Sequence, residues 1–239
     1  MAILVLLSVL LLLIIQFGRR HNYFGVPILI IYGFEYLDIV GLLLPSSMTI
    51  FTLQFFKYRS VEDEEFKHLS AAIMGIIIGL IILTKLDITS LVPLIIGILI
   101  LLAALFRTSA LTKHKTEHFI SKNRSQFHFF NAILHVFTNL GGVLFTVYSS
   151  STHKAKVQSV SCTALFYLVY AVSQVTILIM MGQKKIVEAG LVYVPATALI
   201  YVTLGRRSFV SISQERFDTI TTLFFLCASC VVLFRNFIL

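Results

Sequence analysis

Of the chain's 239 residues, 58% are hydrophobic and only 13% are charged, with a formal net charge of +8. A water-soluble domain is nearer to about 45–50% apolar and 25% charged, so this chain has too little polar surface to cover itself in water, and it reads as a multi-pass membrane protein. The basic residues sit in short loops between apolar runs, which fits the positive-inside bias of membrane proteins and excludes a nucleic-acid footprint.

A membrane span needs about 20 apolar residues. The apolar runs are 1–17, 24–56, 69–83, 91–106, 127–148, 160–181, 191–204 and 219–234. The first has no basic start and no small-residue cleavage site, so it reads as a membrane helix and not as a signal peptide. The second is too long for one span and contains Pro27, Gly33, Pro45, Glu35 and Asp38. It is expected to form a short half-helix over 26–32, a turn over 33–36 and a full span ending near Lys57. Glu35 and Asp38 then fall at the membrane interface, and Glu62-Asp63-Glu64-Glu65 reads as a solvated loop face. The polar, basic segment 107–126 lies at the midpoint and divides the chain into a first repeat (1–106), a cytoplasmic linker (107–126) and a second repeat (127–239). Cys162, Cys227 and Cys230 fall inside apolar runs, where packing is their expected role.

Internal similarity supports the duplication. Gly79 precedes Leu86-Asp87-Ile88-Thr89-Ser90-Leu91 by the same spacing that separates Gly205 from Ile212-Ser213-Gln214-Glu215-Arg216-Phe217. Gly25-Val26-Pro27-Ile28-Leu29-Ile30-Ile31-Tyr32 pairs with Gly141-Gly142-Val143-Leu144-Phe145-Thr146-Val147-Tyr148. A plain eight-span threading leaves Lys and Arg almost evenly divided between the two faces. If the first element of each repeat breaks, near 18–25 and 139–142, and returns to its own side, thirteen fall on the linker side and four on the other. The expected fold is therefore an all-α polytopic membrane protein of two inverted repeats. Each repeat is a broken or re-entrant first helix plus three transmembrane helices, an arrangement common among secondary transporters.

Several of these residues carry a resemblance. Gly25-x-Pro27-x-Leu29, Leu44-Pro45-Ser46-Ser47, Gln54, Tyr58-Arg59, Gly75-x-x-x-Gly79 and the 86–91 stretch resemble the first repeat of the sulfite exporter TauE/SafE family. His135-Val136-Phe137-Thr138-Asn139-Leu140-Gly141-Gly142 resembles that family's His-Gly…Gly-Gly signature, and Ser149-Ser150, Lys156, Gln174 and Gly205-Arg206-Arg207 resemble further family positions. The chain departs from the pattern at Val136, where the family has Gly, and at 19–25, where Arg19-Arg20-His21-Asn22-Tyr23-Phe24-Gly25 replaces a Gly-rich cluster. The resemblance implies a membrane transporter, in a bacterial inner or plasma membrane or an organelle, exporting sulfite, a sulfonate or a related small anion.

An anion entering a bilayer loses its hydration, which broken helices can replace with backbone N–H groups, helix dipoles and side-chain donors. The candidate substrate-binding residues are His135, Thr138, Asn139, Gly141 and Gly142 at the second break, and Gly25 and Arg20 at the first. Ser46, Ser47, Gln54 and Gln174 supply uncharged donors. Each has a plainer reading: Gly141-Gly142 as a packing notch, His135 as a neutral histidine bonded to a neighbouring helix, Arg19 and Arg20 as snorkelling loop residues, and the Ser and Gln side chains as interhelical hydrogen bonds. No metal cluster, phosphate loop or nucleophile motif occurs in the sequence, and no cofactor is expected. The expected partners are a small anion, the lipid bilayer and, in an oligomer, further copies of the chain. Two other functions fit the composition: a membrane interaction or assembly protein that moves nothing, and an intramembrane enzyme, for which a lone His135 offers no paired nucleophile.

Overall fold

A computed structural model describes residues 25–85, 91–108, 120, 122–139, 141, 144–145, 148, 152, 156–205 and 214–238. These residues are helical, with no strand among them. In chain order the helices are α1 (Gly25–Ile31), α2 (Tyr36–Tyr58), α3 (Asp63–Phe66), α4 (Leu69–Lys85), α5 (Val92–Thr108), α6 (Arg124–Thr138), α7 (Lys156–Met180), α8 (Lys184–Leu191), α9 (Val194–Ile200) and α10 (Gln214–Ile238), with a π-turn over Tyr201–Gly205 after α9.

The long second apolar run divides as its composition dictates. α1 ends at Ile31, Gly33 takes φ 91°, a left-handed value that favours glycine, and α2 begins at Tyr36. Three helices are long and apolar enough to cross a membrane: Tyr36–Tyr58, Asp63–Leu83 and Val157–Met180. The pair Lys184–Leu191 and Val194–Thr203, bent by 40°, makes a fourth when counted as one span. Shorter apolar helices lie at Val92–Leu102 and Phe225–Phe234. The run 191–204 is thus the second arm of a bent element.

α2 and α7 pack along their lengths, as do α4 with α6 and α5 with α10. Without a hydrophobic drive between helices in lipid, close approach depends on small residues. On α4, Gly75 and Gly79 supply it. A methyl at Gly75 would collide with the Phe129 carbonyl oxygen of α6 and lie 2.8 Å from Ala132 Cβ, and one at Gly79 would lie 3.2 Å from Val136 Cβ. The opposite face of α4 carries exposed Ile73, Met74, Ile77 and Ile81, a surface suited to lipid. On α2, Pro45 has no N–H to offer the Gly41 carbonyl. Gly190 of α8 packs there: a methyl on it would lie 2.7 Å from the Gly41 oxygen and 2.9 Å from the Leu42 oxygen.

The direction of each helix follows from its contacts. Ser60, just past the end of α2, donates its N–H to Ser161 Oγ near the start of α7 at 3.1 Å, and Phe51 meets Tyr167 at 4.8 Å between ring centroids. α2 and α7 are therefore antiparallel. α8 and α9 then run parallel to α2, with Ile186 against Gly41 and Thr197 against Ser46.

Two segments depart from the sequence reading. The run 127–148 does not form one helix: α6 stops at Thr138, and Asn139 caps it at φ 53°, ψ 17°. The chain then doubles back. Gly141 lies against His135, Phe145 against His128 at 5.6 Å between ring centroids, and Tyr148 stacks on Phe127 at 5.1 Å. The second correction is Glu65. It is not part of a solvated face but 0% exposed, turned inward from α3 while Glu62, Asp63 and Glu64 remain outside. The first break, 18–25, lies outside the described residues apart from Gly25.

Candidate functional site

α6 carries buried polar residues at His128, Asn131, His135 and Thr138, followed by buried Asn139. The intervals of three and four residues place them on one face of the helix. That face meets Tyr167, Tyr170 and Gln174, which share a face of α7. His135 sits edge-on to Tyr167 with ring centroids 5.1 Å apart, and 4.9 Å from Tyr170. Gln174 hydrogen-bonds the His135 side chain, and Asn131 Nδ2 donates to the Tyr170 hydroxyl at 3.4 Å.

The turn at Asn139 is where chain geometry and polarity coincide. The last carbonyls of α6 are drawn into local bonds: Thr138 Oγ1 donates to Leu134 O at 2.7 Å, Asn139 N–H to His135 O at 2.6 Å, and the Tyr36 hydroxyl from α2 to Val136 O at 2.5 Å. The negative end of this helix is thereby screened. Phe145 N–H bonds Gly141 O at 3.0 Å, so a new helical turn opens at Gly141 with its N-terminal, positive end at the break. Gly141 permits the fit, since a methyl there would lie 2.8 Å from His135 Cβ and 3.2 Å from His135 Nδ1.

Around this break, His135 Nδ1, both side-chain amide atoms of Asn139, Asn131 Oδ1 and Gln174 Oε1 are buried without a hydrogen-bond partner. Leaving one such group dry costs about 1–3 kcal/mol, and native interiors tolerate few. Five such atoms from two helices converging on one break mark a place built to hold a polar guest or ordered water.

The candidates from sequence separate accordingly. His135, Thr138, Asn139, Gly141 and Gln174 belong to this one region. Ser46 and Ser47 have other partners: Thr197 Oγ1 donates to Ser46 Oγ at 3.1 Å across α2 and α9, and Ser47 donates to Leu43 O of its own helix at 2.9 Å. Gln54 is buried on α2. Gly25 opens α1, which packs chiefly against α10, α2 and α5. Arg20 and Gly142 lie outside the described residues. Asn131, Tyr36, Tyr167 and Tyr170 were not among the candidates, although Asn131 precedes His135 by four residues and shares its face.

A second polar cluster surrounds Glu65. The Tyr148 hydroxyl lies 2.7 Å and 2.8 Å from its two oxygens, and Cys162 Sγ donates at 3.4 Å. Arg124 Nη1 approaches Glu65 at 3.8 Å and Glu64 at 3.3 Å, and His128 Nε2 lies 3.9 Å from Glu65. Cys162 is buried within it, whereas Cys227 and Cys230 are exposed on α10. Among the described residues, no group of three His, Cys, Asp or Glu could hold a metal ion.

The profile of the sulfite exporter TauE/SafE family matches residues 23–232, most of the chain. The chain belongs to the sulfite exporter TauE/SafE family. It is accordingly a multi-pass membrane protein of a transporter family. No curated protein and no solved structure shows significant similarity to it. Within this TauE/SafE protein the break after α6 falls on the residues 135–142 that carry the family-like signature, and no cofactor site accompanies it among the described residues.

Proposed function

We propose that the protein is a secondary transporter exporting a small anion, either sulfite, a sulfonate or a related sulfur-containing or organic anion, through a site at the α6 break. The observation that carries this reading is the set of buried, unpartnered polar atoms of His135, Asn139, Asn131 and Gln174 beside the opening turn at Gly141. Amide and imidazole donors together with a positive helix end can replace the water that an oxyanion leaves behind. Family membership supplies the class of solute.

The wider architecture is part of the same reading. α6 has 15 residues and a rise of about 22 Å, short of the ~30 Å hydrocarbon core, so the doubled-back segment suits a re-entrant hairpin. An inverted first repeat over 1–106, a basic cytoplasmic linker over 107–126 and a second repeat over 127–239 would bring a matching break near Gly25 to face it. Arg20 and Gly142 would then belong to the pathway, Ser46, Ser47 and Gln54 would line its approach on α2, and the membrane would be a bacterial inner or plasma membrane.

The test is a thermal-shift screen of detergent-purified protein against sulfite, thiosulfate, sulfate, sulfonates and small carboxylates, followed by flux in liposomes for any anion that stabilises. A bound ligand raises apparent stability by mass action. Stabilisation by a sulfur oxyanion, abolished by Asn139→Gly, supports the proposal. A flat screen and no flux would favour the reading of a non-transporting assembly protein.

A further inference from the structure

Glu65 is the only carboxylate or basic side chain among the described residues that is fully buried, and the anion site makes no use of it. It sits where the first half of the chain meets the foot of the hairpin. Tyr148, on the returning arm, donates to the carboxylate, and Cys162 adds a thiol from α7. The base of α6 supplies Arg124, 24% exposed, and His128, 0% exposed, whose ring nitrogens have no hydrogen-bond partner. At 3.9 Å, His128 Nε2 is too far from Glu65 for a hydrogen bond and close enough for an ion pair were the ring protonated. His68, partly exposed at the start of α4, stacks on His128 with centroids 5.5 Å apart and contacts Ser125 Oγ through Nδ1 at 2.8 Å. A line of titratable groups thus runs from the surface inward. The other charges nearby, Glu62, Glu64 and Lys67, are exposed.

We propose that Glu65 is the proton-binding site of this transporter, and that its protonation is coupled through α6 to the anion site. The coupling part of this inference rests on the anion reading above. One proton leaves water at the linker end, adds to a Glu65 carboxylate oxygen, and returns to water when Glu65 is bare again. No bond in the anion changes and no electron moves. Adding the proton turns one acceptor oxygen into a donor and cancels the charge that draws Arg124 inward, leaving that guanidinium to Glu64, already the nearer partner at 3.3 Å. Arg124 and His128 stand on the same helix as His135, and His128 and His135 are two turns apart on one face. What happens at the foot of α6 is therefore carried along a rigid rod to the break.

The experiment uses the full chain in liposomes with radiolabelled sulfite, leak through protein-free vesicles being subtracted. Sulfite exchange at equal pH on both faces measures the anion site alone, and accumulation under a pH gradient measures coupling. Glu65→Gln is expected to retain exchange and to lose gradient-driven accumulation by about tenfold or more, within the usual range of coupling between sites. His128→Gln, which leaves Glu65 and Tyr148 intact, is expected to weaken accumulation in the same sense and serves if Glu65→Gln does not fold. Infrared pH-difference spectra of the wild type are expected to contain a protonated-carboxyl band that Glu65→Gln removes. Accumulation by Glu65→Gln at the wild-type level, or spectra without that band, overturns the proposal. If the wild type exchanges no sulfite, the coupling falls with the anion reading, and the carboxyl band alone decides whether Glu65 takes up a proton.

Discussion

Gly141 and His135 are in direct contact across the turn after α6, so closely that a methyl group on Gly141 would lie 2.8 Å from His135 Cβ. The same methyl would lie 3.2 Å from the Asn131 carbonyl oxygen. The returning arm can reach its neighbours only because this position has no side chain. Gly141→Val is expected to push the hairpin arms apart and destabilise the protein by about 1–3 kcal/mol, the usual range for overpacking. Melting temperature in detergent measures this, and an unchanged value would show that the arm packs elsewhere.

Asn139 combines a left-handed backbone with a buried, unpartnered amide. Two substitutions separate those roles. Asn139→Gly keeps the turn, and its stability is expected to stay within about 1 kcal/mol of the parent, while anion binding is lost with the amide. Asn139→Val carries a β-branched side chain into the same φ and is expected to lose a further ~1–2 kcal/mol. Equal anion affinity in Asn139→Gly and the parent would remove the amide from the site.

Gly75 holds α4 against α6, where any Cβ meets backbone and not a movable side chain. Gly75→Leu is expected to separate the two helices and to lower thermal stability more than Ile77→Leu, which lies on the exposed face of the same helix. Comparing the two melting curves at matched expression checks the assignment of faces.

The antiparallel contacts of α2 and α7 give a labelling prediction. In a background lacking Cys162, Cys227 and Cys230, Lys57→Cys and Lys156→Cys are expected to react with an impermeant thiol reagent from one face of the membrane. Lys85→Cys and Lys184→Cys are expected to react from the other. Lys156 and Lys184 labelling from the same face would contradict the helix order inferred from Ser60–Ser161 and Gly41–Ile186.

Much of this was legible because apolar length and glycine placement are local signals. The division of 24–56 at Gly33 and the interruption near 139–142 followed from residues that sit at those points, and His135, Thr138, Asn139, Gly141 and Gln174 do gather in one region. Glu65 was misread because four acids in a row look like a solvated loop. A chain of one-letter codes does not reveal that only the last turns inward, toward Tyr148, Cys162 and Arg124, which are distant in sequence. Ser46 was offered as an approach residue, yet its hydroxyl meets Thr197, a partner 151 residues away that no local pattern indicates. Asn131 was available to a count of helical intervals from His135, and scanning histidines alone passed over it.

The reversal after Thr138 also changes the parity of everything downstream. Apolar sequence is consumed there without a crossing, so α7 starts from the face at which α6 started, and the second half of the molecule is turned over relative to a count that scores the hairpin as a span. That single inversion is what lets α7 lie head-to-tail beside α2 and set Tyr167, Tyr170 and Gln174 against the polar edge of α6.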